Sequence, residues 1–178
     1  MAQSAFIVRV PEAEPFVAGL RARLDPSALL GVPAHVTLLY PFMSPEQISA
    51  AELEQVHALA AQVPAFEFRL LRTGRFPSCL YLAPEPAAPF IALTQGLGAR
   101  FPAFLPYGGQ HGAVPVPHLT VAQTGETELA AAEAELLAAL RLPARVIVAR
   151  CREFVLIENT SGHWRAMAQF ALAAAAGS

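Results

Sequence analysis

The same order of predicted elements occurs twice along the 178-residue chain, and this repetition constrains the fold more than any single element does. In each half, a strand that begins with a histidine is followed by a helix and then by two more strands. Two like halves predict an α+β fold of two pseudo-symmetric lobes, each a mainly antiparallel sheet with flanking helices. We expect a groove where the lobes meet, and residues 1–178 to form a single bilobal domain.

Hydrophobic periodicity and turn residues give the individual elements. Ser44, followed three positions later by Gln47, has the spacing of a capping box, so we predict a helix from Ser44 to about Val63. A single long strand is predicted from Ala144 to Glu158. The other predicted elements are a strand at 5–10, a helix at 11–24, strands at 35–42, 66–76 and 79–85, a helix near 88–100, a strand at 118–124, a helix with Leu129, Leu136, Leu137 and Leu140, and a last strand with Trp164, Ala166, Ala168, Phe170 and Leu172 on one face.

Composition excludes several classes of function. Hydrophobic residues make up 54% of the chain, but the longest uncharged stretches, 27–45 and 101–125, contain several prolines each and could not cross a membrane as helices. The net charge of −2 gives no global cationic field, so a nucleic-acid substrate should be short or held locally. Cys79 and Cys151 lack CxxC partners and the N-terminus lacks a signal pattern, so we expect a cytoplasmic protein.

Two copies of one short motif carry the chemical information. HVTL occupies 35–38 and HLTV occupies 118–121, each with a proline just upstream. Because side chains alternate along a strand, the histidine and threonine of each motif point to the same face. Two imidazoles facing each other can act as base and acid on a phosphodiester near pH 7, and two hydroxyls can bind its non-bridging oxygens.

With these motifs the chain resembles the 2H phosphoesterase superfamily, and within it the bacterial 2′-5′ RNA ligase and cyclic-phosphodiesterase-like proteins. The resemblance covers nearly the whole chain and includes VPAHVTLLYPF, GRFPSCLYLAPE, PYGG and VLIENTSGHWRAMAQFAL. It implies that His35 and His118 are catalytic and that Thr37 and Thr120 hold the phosphate. It also implies cleavage of a cyclic or 2′-5′ phosphodiester without metal or cofactor, and it allows the reverse ligation.

The expected partners are RNA ends, short oligonucleotides or cyclic-phosphate nucleotides, bound by a monomer. Two other interpretations stay open. A non-catalytic RNA- or nucleotide-binding module would keep the groove without turnover. A purely structural pairing of histidine and threonine on each strand would leave the duplication unexplained.

Further residues are candidates for substrate binding. Tyr40 and Tyr107 could stack on a base, and the loop with Tyr107 and His111 is long enough to act as a substrate lid. Arg75 is the preferred phosphate-binding arginine, because the family resembled often has a polar or basic residue near this hairpin; Arg69, Arg72, Arg150 and Arg152 are weaker candidates. No metal site is expected, because no two histidines stand three or four positions apart and Asp25 is the one aspartate.

Overall fold

The structure is a computed structural model that describes residues 2–109, 116–141 and 146–174. These residues form strands β1 (Ser4–Arg9), β2 (His35–Leu39), β3 (Phe66–Phe76), β4 (Cys79–Glu85), β5 (Leu119–Gln123), β6 (Ile147–Cys151), β7 (Glu153–Glu158) and β8 (Arg165–Ala171). The helices are α1 (Glu14–Leu24), α2 (Pro26–Leu29), α3 (Ala50–Ala60), α4 (Ala88–Arg100) and α5 (Glu126–Arg141).

The strands form one eight-stranded sheet in the order β6-β3-β4-β5-β2-β1-β7-β8. Every neighbouring pair of strands is antiparallel. The two motif strands, β2 and β5, meet at the centre through Val36 and Leu119. The predicted α+β fold with two lobes is confirmed, but each lobe draws strands from both sequence halves, because β1 pairs with the C-terminal β7 and β3 pairs with the C-terminal β6.

Alternation along the central strands separates two faces of the sheet. Val36, Leu38 and Leu119 are fully buried in the main hydrophobic core, where α4 packs against β2 and α1 packs against β5. The histidine and threonine of each motif therefore lie on the opposite face, away from these helices. Across the described ranges, none of the helices has the length and apolar character that a membrane crossing requires.

The predicted start of α3 is five residues too early, because the capping residue is Ser49 and not Ser44. Ser44 precedes only a short 3-10 turn, and α3 begins at Ala50 with a capping box formed by Ser49 and Glu52. The backbone N–H of Ser49 donates to the Glu52 carboxylate at 2.9 Å. Ile48 is extended and packs against the main core, which separates the turn from the helix.

The predicted long strand is two strands. Residues 144 and 145 lie outside the described residues, and the rest is divided at Arg152 into β6, which pairs with β3, and β7, which pairs with β1 and β8. The predicted common face of the last strand is also divided. A register shift pairs Ala166 with Ile157 but Ala168 with Leu156, which leaves one extra residue in β8. Phe170 therefore faces the main core, whereas Trp164 packs on a second, smaller cluster.

Candidate active site

The pairing of the two central strands, β2 and β5, places the two motifs opposite each other. Val36 lies opposite Leu119, so one step along the antiparallel register places His35 across from Thr120 and Thr37 across from His118. Each imidazole thus has the hydroxyl of the other motif as its cross-strand neighbour. Diagonal neighbours such as His35 and His118 stand about 7–8 Å apart in this geometry, which leaves room for a small group between the rings.

Both histidine rings are held by the same local contact. Nδ1 of His35 lies 2.8 Å from the carbonyl oxygen of Pro33, and Nδ1 of His118 lies 2.8 Å from the carbonyl oxygen of Val116. A carbonyl oxygen only accepts, so Nδ1 carries the hydrogen in each ring. The other nitrogen, Nε2, is therefore the one that can exchange a proton with a ligand.

His35 is kept neutral by its surroundings. Burial lowers the pKa of His35 to about 4, although its hydrogen bond to Pro33 acts in the opposite direction. The nearby Arg21 guanidinium and His118 lower this pKa further, and Asp25 raises it. Arg21 is itself buried and bonded to Asp25 at 2.9 Å. The free protein therefore presents an uncharged, proton-accepting His35 at pH 7.

His118 lies among three aromatic rings. The centroids of Phe76, Tyr81 and Tyr107 stand 5.1, 5.4 and 6.2 Å from the His118 ring, and Tyr107 stacks on it at an interplanar angle of 25°. Tyr81 takes its place because the residue across from it is Gly74. A Cβ atom there would lie 2.4 Å from Cζ of the tyrosine ring. Gly74 thus gives Tyr81 the space that brings its ring to His118.

Tyr107 connects the two motifs. Its backbone N–H donates to the carbonyl oxygen of Tyr40 at 2.6 Å, and its side chain is hydrogen-bonded to Thr37. Burial raises the pKa of Tyr107, so the phenol stays protonated at neutral pH. Its φ of 52° lies in the left-handed region, which tyrosine seldom adopts and which occurs preferentially at functional sites. His111, the other residue singled out in the predicted lid, lies outside the described residues.

Cys79 is a site neighbour that the sequence analysis missed. Its Sγ lies 3.7 Å from Oγ1 of Thr120, and burial raises its pKa, so it remains a thiol. Cys79 and Tyr81 alternate along β4, directly beside the second motif strand. That hairpin pattern is the signal by which both could have been found.

Two predicted binding residues have other contacts. The Tyr40 hydroxyl donates to Oε1 of Gln3 at 3.1 Å, and its ring meets the edge of Trp164 at 6.2 Å, so Tyr40 supports the Tyr107 loop. Arg75 binds Glu126 and Glu133 of α5, each at 2.6 Å. It therefore lies on the helix side of β3 and not in the groove. The prediction of a phosphate contact for Arg75 is not supported by this placement.

The remaining weaker candidates are distributed around the fold. Arg72 is bonded to Glu85, and Arg69 is exposed on β3. No cluster of three or more histidine, cysteine, aspartate or glutamate side chains within the described part of the chain could hold a metal ion.

An antiparallel two-lobed sheet whose central strands each carry a His-x-Thr motif agrees with the resemblance to the 2H phosphoesterases. A family model for the 2′-5′ RNA ligase superfamily matches residues 10–163. The chain belongs to this superfamily.

Solved structures share the fold at low sequence identity. LigT of E. coli, in complex with 3′-AMP, is 17% identical with a TM-score of 0.59, over 96% of this chain and 97% of that one. TT0787 of Thermus thermophilus is 19% identical with a TM-score of 0.63, over 97% and 98% of the two chains. E. coli LigT has also been solved with NADP+, at 18% identity and a TM-score of 0.55, over 96% and 97%. A search of curated proteins gives no match.

Proposed function

We propose that this chain is a metal-independent phosphodiesterase that acts on 2′,3′-cyclic phosphate ends or 2′-5′ linkages of RNA or small nucleotides. The observation that carries the proposal is the crossed placement of His35 and His118, each beside the threonine of the other motif. The E. coli LigT structures with 3′-AMP and NADP+ are consistent with a nucleotide ligand for this fold.

The reaction follows from two imidazoles on opposite sides of one phosphorus atom. A water oxygen attacks phosphorus while Nε2 of one histidine takes up the proton of the water. Nε2–H of the other histidine gives a proton to the departing 3′ oxygen as the P–O3′ bond breaks. Each proton transfer contributes roughly 10²- to 10⁴-fold to the rate. The product is a 2′-phosphate, and the two histidines end with exchanged protonation states.

Thr37 and Thr120 donate their hydroxyl hydrogens to the non-bridging oxygens of the phosphate. These oxygens gain negative charge in the transition state, so donors already in place stabilise it. The anionic phosphate also raises the pKa of His35 when it binds, because an opposite charge within about 4–6 Å favours the protonated imidazole. His35 can therefore take up and release a proton during turnover, although it is neutral in the free protein.

The same groups can join RNA ends. When a 5′-hydroxyl takes the place of water, the base takes its proton and the acid protonates the departing 3′ oxygen, so that a cyclic phosphate end is joined through a 2′-5′ bond. Cleavage of that bond by the 3′-hydroxyl is the reverse step, in which the acid and base exchange roles. Both cysteines are buried free thiols, which supports our inference that the protein works in the reducing cytoplasm.

A second candidate function is supported by one contact. The phenol of Tyr107 already binds the Thr37 hydroxyl, which the proposed mechanism assigns to the phosphate. A non-catalytic nucleotide-binding module could keep this contact permanently. The phosphodiesterase forms product from a bound substrate and the binding module does not, so a turnover assay distinguishes the two functions.

The test is incubation of EDTA-treated protein with a nucleoside 2′,3′-cyclic phosphate, with the 2′- and 3′-monophosphate products resolved. We expect the 2′-monophosphate, and no product from the His35→Ala, His118→Ala double variant. If a folded protein binds the nucleotide but forms no product from it or from an oligonucleotide with the same end, the non-catalytic module is the function.

A further inference from the structure

A cleft of about 440 Å³ lies beside His35 and outside the crossed motifs. Pro33, whose carbonyl oxygen binds the His35 ring, lines this cleft. Arg9 lines it too, and Arg9 is paired across the strands with His35. Side chains directly opposite each other stand about 4.5–5.5 Å apart at Cβ. Arg9, in the lining of the cleft, is therefore an immediate neighbour of His35 in the proposed reaction centre.

Three arginines and three glutamates line the cleft, but most of the carboxylates are occupied. Glu153 is bonded to Arg9 at 2.6 Å, and Glu14 accepts the backbone N–H of Ala34 at 2.6 Å. Arg150 and Arg152 are exposed and form no ion pair within the described ranges. The guanidinium groups of Arg150 and Arg152 are therefore available to a ligand, whereas the carboxylates of Glu14 and Glu153 already accept hydrogen bonds.

The position of the arginines depends on the division of the long strand. Arg152 is the one residue between β6 and β7, which belong to different lobes. The cleft thus lies where the chain crosses from lobe to lobe. Its volume is within the range of about 300–1,000 Å³ typical of ligand sites.

We propose that this cleft binds a second phosphate group of a single-stranded RNA substrate, one that neighbours the phosphate held at the histidines. The inference rests on the proposed function and extends it to the substrate class: the preferred substrate is an oligonucleotide end and not a mononucleotide. A chain with a net charge of −2 has to hold a polyanion locally, and guanidinium groups bind phosphate through two parallel hydrogen bonds.

The test compares two ligands that need no turnover, adenosine 2′-phosphate and an RNA trinucleotide that ends in the same 2′-phosphorylated adenosine. Binding is measured for the unaltered protein and for the Arg150→Gln, Arg152→Gln double variant. The control is Arg23→Gln, which removes the same kind of charge from an exposed ion pair with Glu135 between α1 and α5.

We expect the trinucleotide to bind more tightly than the mononucleotide to the unaltered protein. The ratio of the two affinities should fall about tenfold or more in the double variant, since a hydrogen bond to a charged group contributes about 1.5–3 kcal/mol. It should stay unchanged in Arg23→Gln. The salt dependence of trinucleotide binding should also become weaker, because fewer counterions are released.

Equal affinities in the unaltered protein, or an unchanged ratio in the double variant, would overturn the proposal. If the mononucleotide binds and its cyclic form is hydrolysed, such a result removes the second phosphate site and leaves the phosphodiesterase in place. If neither ligand binds, the phosphate site at the histidines fails together with the cleft.

Discussion

The side chain of Tyr107 is hydrogen-bonded to Thr37, and the same ring stacks on His118. One residue therefore touches both motifs, with its backbone in the left-handed region at φ 52°. For tyrosine, the left-handed backbone conformation is less stable than the β or α regions. The surrounding contacts therefore hold Tyr107 in this conformation. In the proposed mechanism, this placement makes the phenol a further donor beside Thr37 to a bound phosphate.

Substituting Tyr107→Phe removes the hydroxyl and keeps the stacked ring. We expect nucleoside 2′-phosphate to bind about three- to tenfold more weakly, which is the value of one ordinary hydrogen bond. Isothermal titration calorimetry of the two proteins measures this difference. Tighter binding by Tyr107→Phe would show instead that the phenol competes with the ligand for Thr37.

The lowered pKa of His35 predicts an unusual titration. Its imidazole should protonate at about pH 4 in the free protein, well below the ordinary histidine value, because burial disfavours the charged ring. Histidine NMR signals followed from pH 8 to pH 4 measure this directly. Added nucleoside 2′-phosphate should move the His35 midpoint upward. A midpoint near 6.5 in the free protein would contradict the described environment.

The same shift makes stability depend on pH with a definite sign. The unfolded chain protonates His35 near pH 6.5, whereas the folded chain does so only near pH 4. Between these values the unfolded state binds more protons, so the contribution of His35 to the free energy of unfolding falls as the pH drops below 6.5 and levels off below about 4. Urea unfolding at pH 7.5 and 4.5 should show a smaller loss in His35→Gln than in the unaltered protein.

The space above Gly74 is predicted to matter for activity. In Gly74→Ala the new methyl group would overlap the Tyr81 ring, which must shift against His118. We expect kcat/KM for a cyclic phosphate to fall about tenfold to hundredfold, since small displacements of reacting groups have effects of that size. Gly98→Ala is the matched control, because nothing lies within 4 Å of its added Cβ. If both variants keep full activity, the position of Tyr81 is not important for turnover.

Arg75 should act on stability and not on activity. Arg75→Gln removes two ion pairs to α5, and partly exposed pairs of this kind contribute at most about 1 kcal/mol each. We expect a small decrease in Tm and unchanged kcat/KM. A large rise in KM for nucleotides would restore the sequence-based prediction that Arg75 binds phosphate.

The fold class and the common face of the histidine and threonine in each motif could be predicted, because they depend on the repeated order of elements and on local alternation. A strand of period two fixes which face His35 and Thr37 share, whatever the strand pairs with. The crossing of the motifs could not be read in this way, since it depends on the register of β2 against β5. Lobe membership also depends on long-range pairing, which joins the N-terminal β1 to the C-terminal β7.

Irregularities in the strands account for most of the other differences. The extra residue in β8 turned Trp164 away from the face predicted for it, and the division at Arg152 turned one strand into two. Alternation likewise could not decide between the two faces available to Arg75, because β3 contains a register shift between Leu70 and Arg72. Bulges of this kind carry no clear sequence signature.

The most direct test of the paired-histidine account compares His35→Ala, His118→Ala and the double variant in metal-free hydrolysis of a 2′,3′-cyclic phosphate. His163→Ala, at an exposed position in the turn before β8, is the control. Because the two imidazoles act as a unit, each single substitution should lower kcat by roughly 10²- to 10⁴-fold, and the double variant should be hardly worse than either. Near-normal turnover in a folded single variant would contradict the account.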